Sequence, residues 1–153
     1  MNHLFVVRHG YYGDDGPDRG LTPSGQKKIQ RLAERMKEIY AGSDIAIVSS
    51  PLRRADESAQ IIADTFGLTG LERDYALKNE GEYLSEREVN TIHNIVELRK
   101  IHEAVALVGH MPTATYLKYF ARQVLGTELC FPDPKNGEAV YLNCISKKVQ
   151  LIS

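Results

Sequence analysis

Three short polar clusters in this sequence combine residue types that can bind and transfer a phosphoryl group. Arg8 and His9 follow one apolar run, Arg54 comes shortly after a second, and His110 follows a third. Arginine binds phosphate oxygens through paired hydrogen bonds and keeps its charge. A neutral imidazole can attack phosphorus, and a second imidazole can donate a hydrogen bond to an oxyanion. The four side chains therefore supply a nucleophile and three ligands for phosphate oxygens, a set that requires no metal ion.

Strands and helices alternate around these clusters. Short β-rich runs at 4–7, 45–48 and 104–108 are predicted strands, and two more strands are predicted at 139–143 and 148–152. Apolar residues at helical spacing predict helices between them. The predicted helices are the segment opened by Thr22 and Pro23, the segment ended by Gly67, the segment opened by Ser85 and the segment ended by Gly126.

This order of elements predicts an α/β fold, a three-layer α/β/α sandwich with a mostly parallel central sheet. In open α/β sheets, ligands bind beyond the carboxyl ends of the strands. The three clusters should therefore meet in one crevice, where two arginines and two histidines favour an anion. Because the chain contains no repeat or linker-like tract, we predict a single domain over residues 1–153.

Composition and charge narrow the class of protein. Hydrophobic residues make up 42% of the 153 residues and charged residues 25%, a balance typical of a globular domain. The formal net charge of −1 argues against a nucleic-acid partner, since such domains carry a basic excess. No apolar run approaches the roughly 20 residues that cross a bilayer, and the amino terminus lacks the basic region of a signal peptide. We expect a cytoplasmic protein without a membrane or nucleic-acid partner.

The remaining cysteines and histidines predict no metal or cofactor site. Cys130 and Cys144 have neither metal-ligand spacing nor the pattern of a disulfide framework, so we interpret both as buried thiols. The same spacing argument applies to the other histidines, which we interpret as structural or solvated. These are His3, His93 and His102.

Four sequence motifs carry a family resemblance. Residues 5–10 (Phe-Val-Val-Arg-His-Gly) run from a strand into Arg-His-Gly, and residues 20–25 contain Leu-Thr-x-x-Gly at a helix start. Residues 48–55 contain Ser-Pro-x-x-Arg-Ala, and residues 108–112 contain Gly-His-x-Pro. In this order, and over almost the whole chain, they resemble the histidine phosphatase (phosphoglycerate mutase-like) superfamily.

The resemblance implies a phosphoglycerate mutase-like fold and a metal-independent phosphatase that forms a phosphohistidine intermediate on His9. It also implies that Arg8, Arg54 and His110 bind the transferring phosphoryl group. Arg53 lies outside the register of the motif, so we interpret it as a solvated side chain.

The general acid has several candidates. The resemblance implies a Glu or Asp between the second and third phosphate-binding motifs. We favour Glu82, with Glu72 and Glu80 as alternatives, and interpret Glu86 as a first-turn residue of a helix. The other interpretation is that none is catalytic and all are solvated loop acids. The candidate acids in this segment are Glu72, Asp74, Glu80, Glu82 and Glu86.

The chemistry of the leaving group separates two substrate classes. An alkoxide leaves poorly and gains about 10²–10⁴-fold from a positioned acid, whereas a protonated imidazole leaves easily. The short chain, without an obvious acid or cap, resembles the compact SixA-like phosphohistidine phosphatases, whose substrates are phosphorylated proteins. The alternative is a small-molecule phosphomonoesterase, in which Tyr11, Tyr12, Asp14 and Asp15 shape the pocket.

Two further alternatives are less favoured. A phosphoglycerate mutase needs extra basic residues and a covering segment that shields the phosphoenzyme from water. A non-catalytic phosphate-binding module would keep the cationic pocket without turnover, since a fold does not guarantee an activity. The sequence predicts no particular oligomeric state.

Overall fold

The computed structural model describes residues 1–14 and 16–153, so Asp15 lies outside the described residues. Within them the chain forms one six-stranded sheet and four α-helices. The strands are β1 (His3–Arg8), β2 (Ile45–Ser49), β3 (Glu72–Arg73), β4 (Ala104–Gly109), β5 (Ala139–Asn143) and β6 (Lys148–Ile152). The helices are α1 (Pro23–Ile39), α2 (Arg53–Phe66), α3 (Glu86–Leu98) and α4 (Tyr116–Phe120).

The sheet has the strand order β3-β2-β4-β1-β5-β6. Strands β1, β2, β3 and β4 pair in parallel, whereas β5 is antiparallel to both β1 and β6. Val7, near the end of β1, lies opposite Val108 of β4 and opposite Ala139 at the start of β5. The carboxyl ends of β1, β2 and β4 and the beginning of β5 therefore lie at the same end of the sheet.

Helices cover both faces of the sheet. Alternate residues of a strand point to opposite faces, so Phe5 and Val7 pack in an apolar cluster with Ile29 of α1, Ile62 of α2 and their neighbours. On the other face, Leu4 and Val6 pack with residues of α3 and α4, which include Ile92 and Leu117. The strands are apolar on both sides because both sides are buried. The predicted three-layer α/β/α sandwich is confirmed.

The predicted helix boundaries are confirmed by their caps. Thr22 accepts a hydrogen bond from the backbone N–H of Gly25 at 3.1 Å, and Ser85 forms a capping box at the start of α3. Gly67 ends α2 and Gly126 ends the helical segment after α4, with φ angles of 74° and 63° that favour glycine. A Cβ atom at Gly25 would collide with the Tyr11 carbonyl group, so this glycine lets α1 begin directly against the loop after β1.

Two segments differ from a simple reading of the sequence. The helix predicted around 117–124 begins as a 3₁₀ turn at Met111–Thr115, continues as α4 and ends as a π turn at Ala121–Leu125. The segment 68–84, where the sequence predicts neither a strand nor a helix, contains the two-residue β3 and a 3₁₀ turn at Tyr75–Leu77. Both residues of β3 are exposed, so β3 lacks the alternation that marks a half-buried strand.

The two cysteines and the three other histidines lie outside the four motifs. The expectation of a buried thiol is wrong for Cys130, which is exposed in a segment without regular structure, while Cys144 is half-buried. Among the described residues, no helix combines the length and apolar character needed to cross a membrane. Each of the three other histidines has a local hydrogen-bond partner: His3 with Tyr141, His93 with Tyr116 and His102 with Asp44.

Candidate active site

The ends of three parallel strands are held together by backbone hydrogen bonds that continue beyond the sheet. The N–H of His9 donates to the carbonyl group of Gly109 at 3.0 Å, and the N–H of Ser50 donates to that of Val108 at 2.8 Å. On the other side of β1, the N–H of Gly137 donates to the carbonyl group of His9 at 2.9 Å. The segment that carries His9 is thus fixed on both sides.

The four side chains predicted from the sequence line one pocket at the carboxyl ends of these strands. Arg8 ends β1 and His9 follows it, Arg54 lies in the first turn of α2, and His110 follows β4. The ring centroids of His9 and His110 are 5.0 Å apart. The other residues lining this pocket are Tyr12, Glu80, Gly81, Glu82, Met111 and Pro112.

The hydrogen bonds of His9 define its tautomer. Nδ1 lies 2.8 Å from the Gly10 carbonyl oxygen, which can only accept, so Nδ1 carries the proton. The other ring nitrogen, Nε2, then keeps its lone pair and accepts a hydrogen bond from Nε of Arg54 at 3.3 Å. His9 lines the pocket but is only 4% exposed, so little of its ring contacts bulk solvent. An imidazole that carries its proton on Nδ1 can act as a nucleophile through Nε2.

Both pocket histidines are neutral near pH 7. Burial lowers the pKa of His9 to about 4, and the charges of Arg54 and Arg8 act in the same direction, while the Gly10 carbonyl group opposes them. Burial likewise lowers the pKa of His110 to about 3, with further contributions from His9 and the two arginines. Nε2 of His110 lies 3.0 Å from the hydroxyl oxygen of Ser50.

Arg54 is a buried cation with three different contacts. Its Nε donates to His9, its Nη2 forms an ion pair with Glu80, and its guanidinium group lies 4.7 Å from the ring centroid of Tyr12. The Glu80 side chain is 54% exposed, so it reaches Arg54 from the mouth of the pocket. A bound anion could replace this carboxylate on Arg54.

Arg8 holds unused hydrogen-bonding capacity in the pocket. Its Nη1 donates to the Pro134 carbonyl oxygen at 3.1 Å, while its buried Nε has no hydrogen-bond partner among the described residues. Buried polar groups are rarely left unpaired, so an orphaned donor of this kind indicates an acceptor that arrives with a ligand. A phosphate oxygen is a suitable acceptor.

Comparison with protein families settles which family this pocket represents. The sequence model of the histidine phosphatase superfamily (branch 1) matches residues 4–81, about half of the chain. This segment contains Arg8, His9 and Arg54. The chain belongs to the histidine phosphatase superfamily. The resemblance read from the four motifs is thereby confirmed, and the protein is an enzyme of phosphatase type.

Solved structures share the fold of this histidine phosphatase along its whole length. The protein histidine phosphatase SixA, solved with tungstate, superposes with a TM-score of 0.68 at 19% identity, covering 97% of this chain and 93% of that one. A mycobacterial glucosyl-3-phosphoglycerate phosphatase gives 0.70 at 17% identity, with coverages of 99% and 97%. A phosphoserine phosphatase from Entamoeba histolytica gives 0.63 at 16% identity, with coverages of 100% and 96%. The search of curated proteins returned no significant match.

The structure separates the candidate acids of this phosphatase. Glu80 and Glu82 both line the pocket, and Glu80 is the one that contacts Arg54. Glu72 forms an ion pair with Arg99 on the surface and is not among the pocket-lining residues of the described chain. Asp74 caps a 3₁₀ turn by accepting from the N–H of Ala76, and Glu86 lies in the first turn of α3.

Arg53 is a solvent-exposed side chain, as the sequence predicted from its position outside the register of the motif. It precedes Arg54, but its side chain is exposed and pairs with Glu57 at 2.7 Å. Of the loop residues considered for a small ligand, Tyr12 lines the pocket, whereas Tyr11 and Asp14 are not among the lining residues that the structure describes. Asp15, the other acid of that loop, is outside the described residues.

Two residues that contact the motif around His9 were missed by sequence reasoning. The hydroxyl oxygen of Ser58 accepts from the N–H of Gly10 at 3.1 Å, and Nδ2 of Asn136 donates to the Gly10 carbonyl oxygen at 3.4 Å. Asn136 reaches this position because β5 starts beside the end of β1. The sequence signal for Asn136 was the turn-forming sequence 134–137 (Pro-Lys-Asn-Gly), which directly precedes a predicted strand.

Proposed function

We propose that this enzyme removes the phosphoryl group from phosphohistidine in proteins, with His9 as the nucleophile. The observation that carries the proposal is the hydrogen bond from Nδ1 of His9 to the Gly10 carbonyl oxygen. It leaves the lone pair of Nε2 inside a pocket whose charged lining includes Arg8 and Arg54. Nucleophile and phosphate ligands are therefore preorganised before the substrate arrives.

The first step transfers the phosphoryl group to the enzyme. Nε2 of His9 attacks phosphorus in line with the leaving group. The bond from phosphorus to the leaving nitrogen breaks, the nitrogen keeps the electron pair, and a substrate ring protonated on its other nitrogen leaves as neutral imidazole. Arg8, Arg54 and His110 donate hydrogen bonds to the three equatorial oxygens. The positive charge that develops on His9 is stabilised by the Gly10 carbonyl oxygen, which already accepts from Nδ1.

The second step releases inorganic phosphate. A water molecule attacks the phosphorus of phosphorylated His9, the phosphorus–nitrogen bond breaks, and Nε2 recovers its lone pair. A proton from the water must be taken up during this attack. The carboxylates of Glu80 and Glu82, both lining the pocket, are the groups placed to accept it.

The charge of the pocket mouth supports a leaving group that departs with a proton. Glu80 and Glu82 place two carboxylates beside the entrance. They would repel an acidic leaving group such as phosphoglycerate, which argues against mutase chemistry, and would stabilise a leaving imidazole that becomes protonated. The exposed position of Glu80 also supports access for a large substrate.

A small-molecule phosphomonoesterase is the second candidate. The contact of Glu80 with Arg54 favours it, because a phosphate that displaces Glu80 leaves a carboxyl group beside the mouth. Such a group can protonate an alkoxide, which a simple phosphate ester requires. The comparisons support phosphorylated substrates of either kind.

Four further expectations belong to the same proposal. The sheet extends from His3 to Ile152, which supports a single domain over residues 1–153. The net charge of −1 supports a substrate other than nucleic acid. We also propose a cytoplasmic location and catalysis that needs no metal ion or cofactor, because the four pocket side chains suffice for the steps above.

The proposal is tested by comparing two substrates with chelator present. The measurement is kcat/KM for a phosphohistidine-bearing protein and for a simple phosphate monoester. Preference for the protein supports the proposal, and preference for the monoester supports the second candidate. His9→Ala should abolish turnover of both, whereas His102→Ala, at the opposite end of the sheet, should retain it. Near-normal rates in the purified His9→Ala variant would refute the mechanism.

A further inference from the structure

A second depression adjoins the phosphate pocket. Its lining residues are Glu82, Tyr83, Met111, Thr115, Lys118 and Asp133, and we refer to it as the Lys118 groove. Glu82 and Met111 line both the groove and the phosphate pocket. The groove is therefore continuous with the phosphate pocket at these two residues.

The groove is lined by three charged side chains, Glu82, Lys118 and Asp133, which together provide both signs of charge. Lys118, on α4, and Asp133 are both exposed, and neither forms an ion pair with any residue that the structure describes. The ammonium group of Lys118 lies 5.2 Å from the ring centroid of Phe131, which limits the positions that it can adopt. The groove thus offers a cation and a carboxylate to the same ligand.

The rim of the groove has the residue types of a protein-binding surface. Tyr83 is 78% exposed and stands on the loop that also carries Glu80 and Glu82. Tyrosine and methionine are enriched where proteins bind other proteins, and the half-buried Met111 lies beside Tyr83 in the groove lining. Thr115 donates its hydroxyl proton to the Pro112 carbonyl oxygen at 2.6 Å, so its oxygen remains available as an acceptor.

We infer that the Lys118 groove binds the polypeptide that carries the phosphorylated histidine. This inference rests on the proposed function and adds a site for the protein part of its substrate. A polypeptide presents both hydrogen-bond donors and acceptors, together with side chains of either charge, and so matches Lys118 and Asp133 at once. A small anionic ester would gain from Lys118 but would be repelled by Asp133 and Glu82.

The test compares two substrates that share a leaving group. One is a protein phosphorylated on histidine by chemical treatment with phosphoramidate, and the other is phosphoimidazole, which has the same leaving ring but no amino or carboxyl group. The readout is the ratio of kcat/KM for the protein to kcat/KM for phosphoimidazole. Because only the protein presents groups that can contact the groove, this ratio isolates groove binding from the chemical step.

Three variants and one control are measured. Tyr83→Ala should lower the ratio by about tenfold, the size typical of an exposed aromatic anchor at an interface. Lys118→Glu and Asp133→Lys should each lower it by about threefold, as expected for one exposed charge pair. Lys148→Glu makes the same charge change on β6, at the end of the sheet opposite His9, and should leave the ratio unchanged.

The outcomes separate failure of the groove from failure of the proposed function. If the wild-type enzyme hydrolyses the phosphorylated protein and all three groove variants keep the wild-type ratio, the groove inference is wrong and the proposed function stands. If the wild-type enzyme hydrolyses monoesters but not the phosphorylated protein, the proposed function is wrong and the groove inference fails with it. An equal loss in Lys148→Glu would show a general charge effect and would also overturn the groove inference.

Discussion

Nε of Arg54 donates a hydrogen bond to Nε2 of His9 at 3.3 Å, so the expected phosphate ligand and the expected nucleophile are in direct contact before substrate binds. The contact requires a neutral His9, because a protonated Nε2 could not accept. A substrate phosphate that takes over the Arg54 donor frees the lone pair at the moment when it is needed. The same phosphate must also replace Glu80 on Nη2 of Arg54.

Replacement of the two neighbouring arginines should have very different consequences. Arg54→Ala removes a buried donor from the transition state and should lower kcat/KM by about 10²-fold or more. Arg53→Ala removes an exposed partner of Glu57, and such surface pairs contribute about 0–1 kcal/mol, so activity should stay near wild type. Steady-state kinetics on both variants checks this, and a similar loss in both would contradict the assigned roles.

Replacement of Glu80 should strengthen binding of inorganic phosphate. The carboxylate competes with an incoming anion for Arg54, so Glu80→Gln should lower the inhibition constant of phosphate by about threefold or more, as for one partly exposed charge pair. Glu72→Gln is the matched control, because Glu72 pairs with Arg99 away from the pocket. Unchanged phosphate inhibition in Glu80→Gln would show that this ion pair does not compete with the ligand.

The same Glu80→Gln variant separates the two substrate classes. If Glu80 is the general acid, kcat for an alkyl phosphate should fall by about 10²-fold or more. Turnover of phosphohistidine should fall less, because its imidazole can leave with a proton of its own and only the second step uses a carboxylate, for which Glu82 remains available. Glu82→Gln is measured beside it, since Glu82 lines the same pocket and was the acid favoured by the sequence. A loss confined to Glu82→Gln would assign the acid to Glu82.

The activity should persist to unusually low pH. The nucleophile is active when Nε2 of His9 is unprotonated, and its pKa of about 4 lies below the usual value of 6.5. Activity is therefore present above about pH 4 and is lost as the pH falls through that value. The pH profile of kcat/KM checks this, after correction for ionisation of the substrate. An acid limb near pH 6.5 that persists after correction would contradict a buried, neutral His9.

The stability of the fold should decrease over the same range of pH. His9 and His110 have a lower pKa when folded than when unfolded, so the unfolded chain binds more protons between about pH 4 and 6.5. The free energy of unfolding should fall with decreasing pH by up to about 1.4 kcal/mol per unit for each histidine. Urea titrations in phosphate-free buffer measure this slope. It should flatten in a variant with both histidines replaced by asparagine, and an unchanged slope would assign it to other groups.

Much of the fold follows from local sequence patterns. Apolar runs of the right length mark β1, β2 and β4, and the capping residues Thr22 and Ser85 mark the starts of two helices. These signals are local because a cap bonds within its own turn, and a strand buried on both faces needs continuous apolar residues. The same patterns place the polar clusters at the strand ends, from which convergence of the pocket follows.

Local sequence patterns do not predict which acid lies beside Arg54. Glu80 and Glu82 lie on one loop, and nothing in their immediate sequence distinguishes them. The shape of this loop depends on Asn79, whose side chain bonds the N–H of Gly81, the carbonyl group of Tyr83 and the carboxylate of Glu88 on α3. The last of these is a contact with a separate element, so the sequence favoured Glu82 while the structure brings Glu80 to Arg54.

The sequence by itself determined the residue types of the pocket, their order and the strand ends on which they lie. Tertiary structure alone decided the tautomer of His9, its neutral state near pH 7, its contact with Arg54 and the arrival of Asn136 beside Gly10. The physical reason is that a pKa and a hydrogen-bond pattern depend on burial and charges summed over all neighbours in space. Around His9 those neighbours come from β1, α2 and the turn before β5, which only the folded sheet brings together.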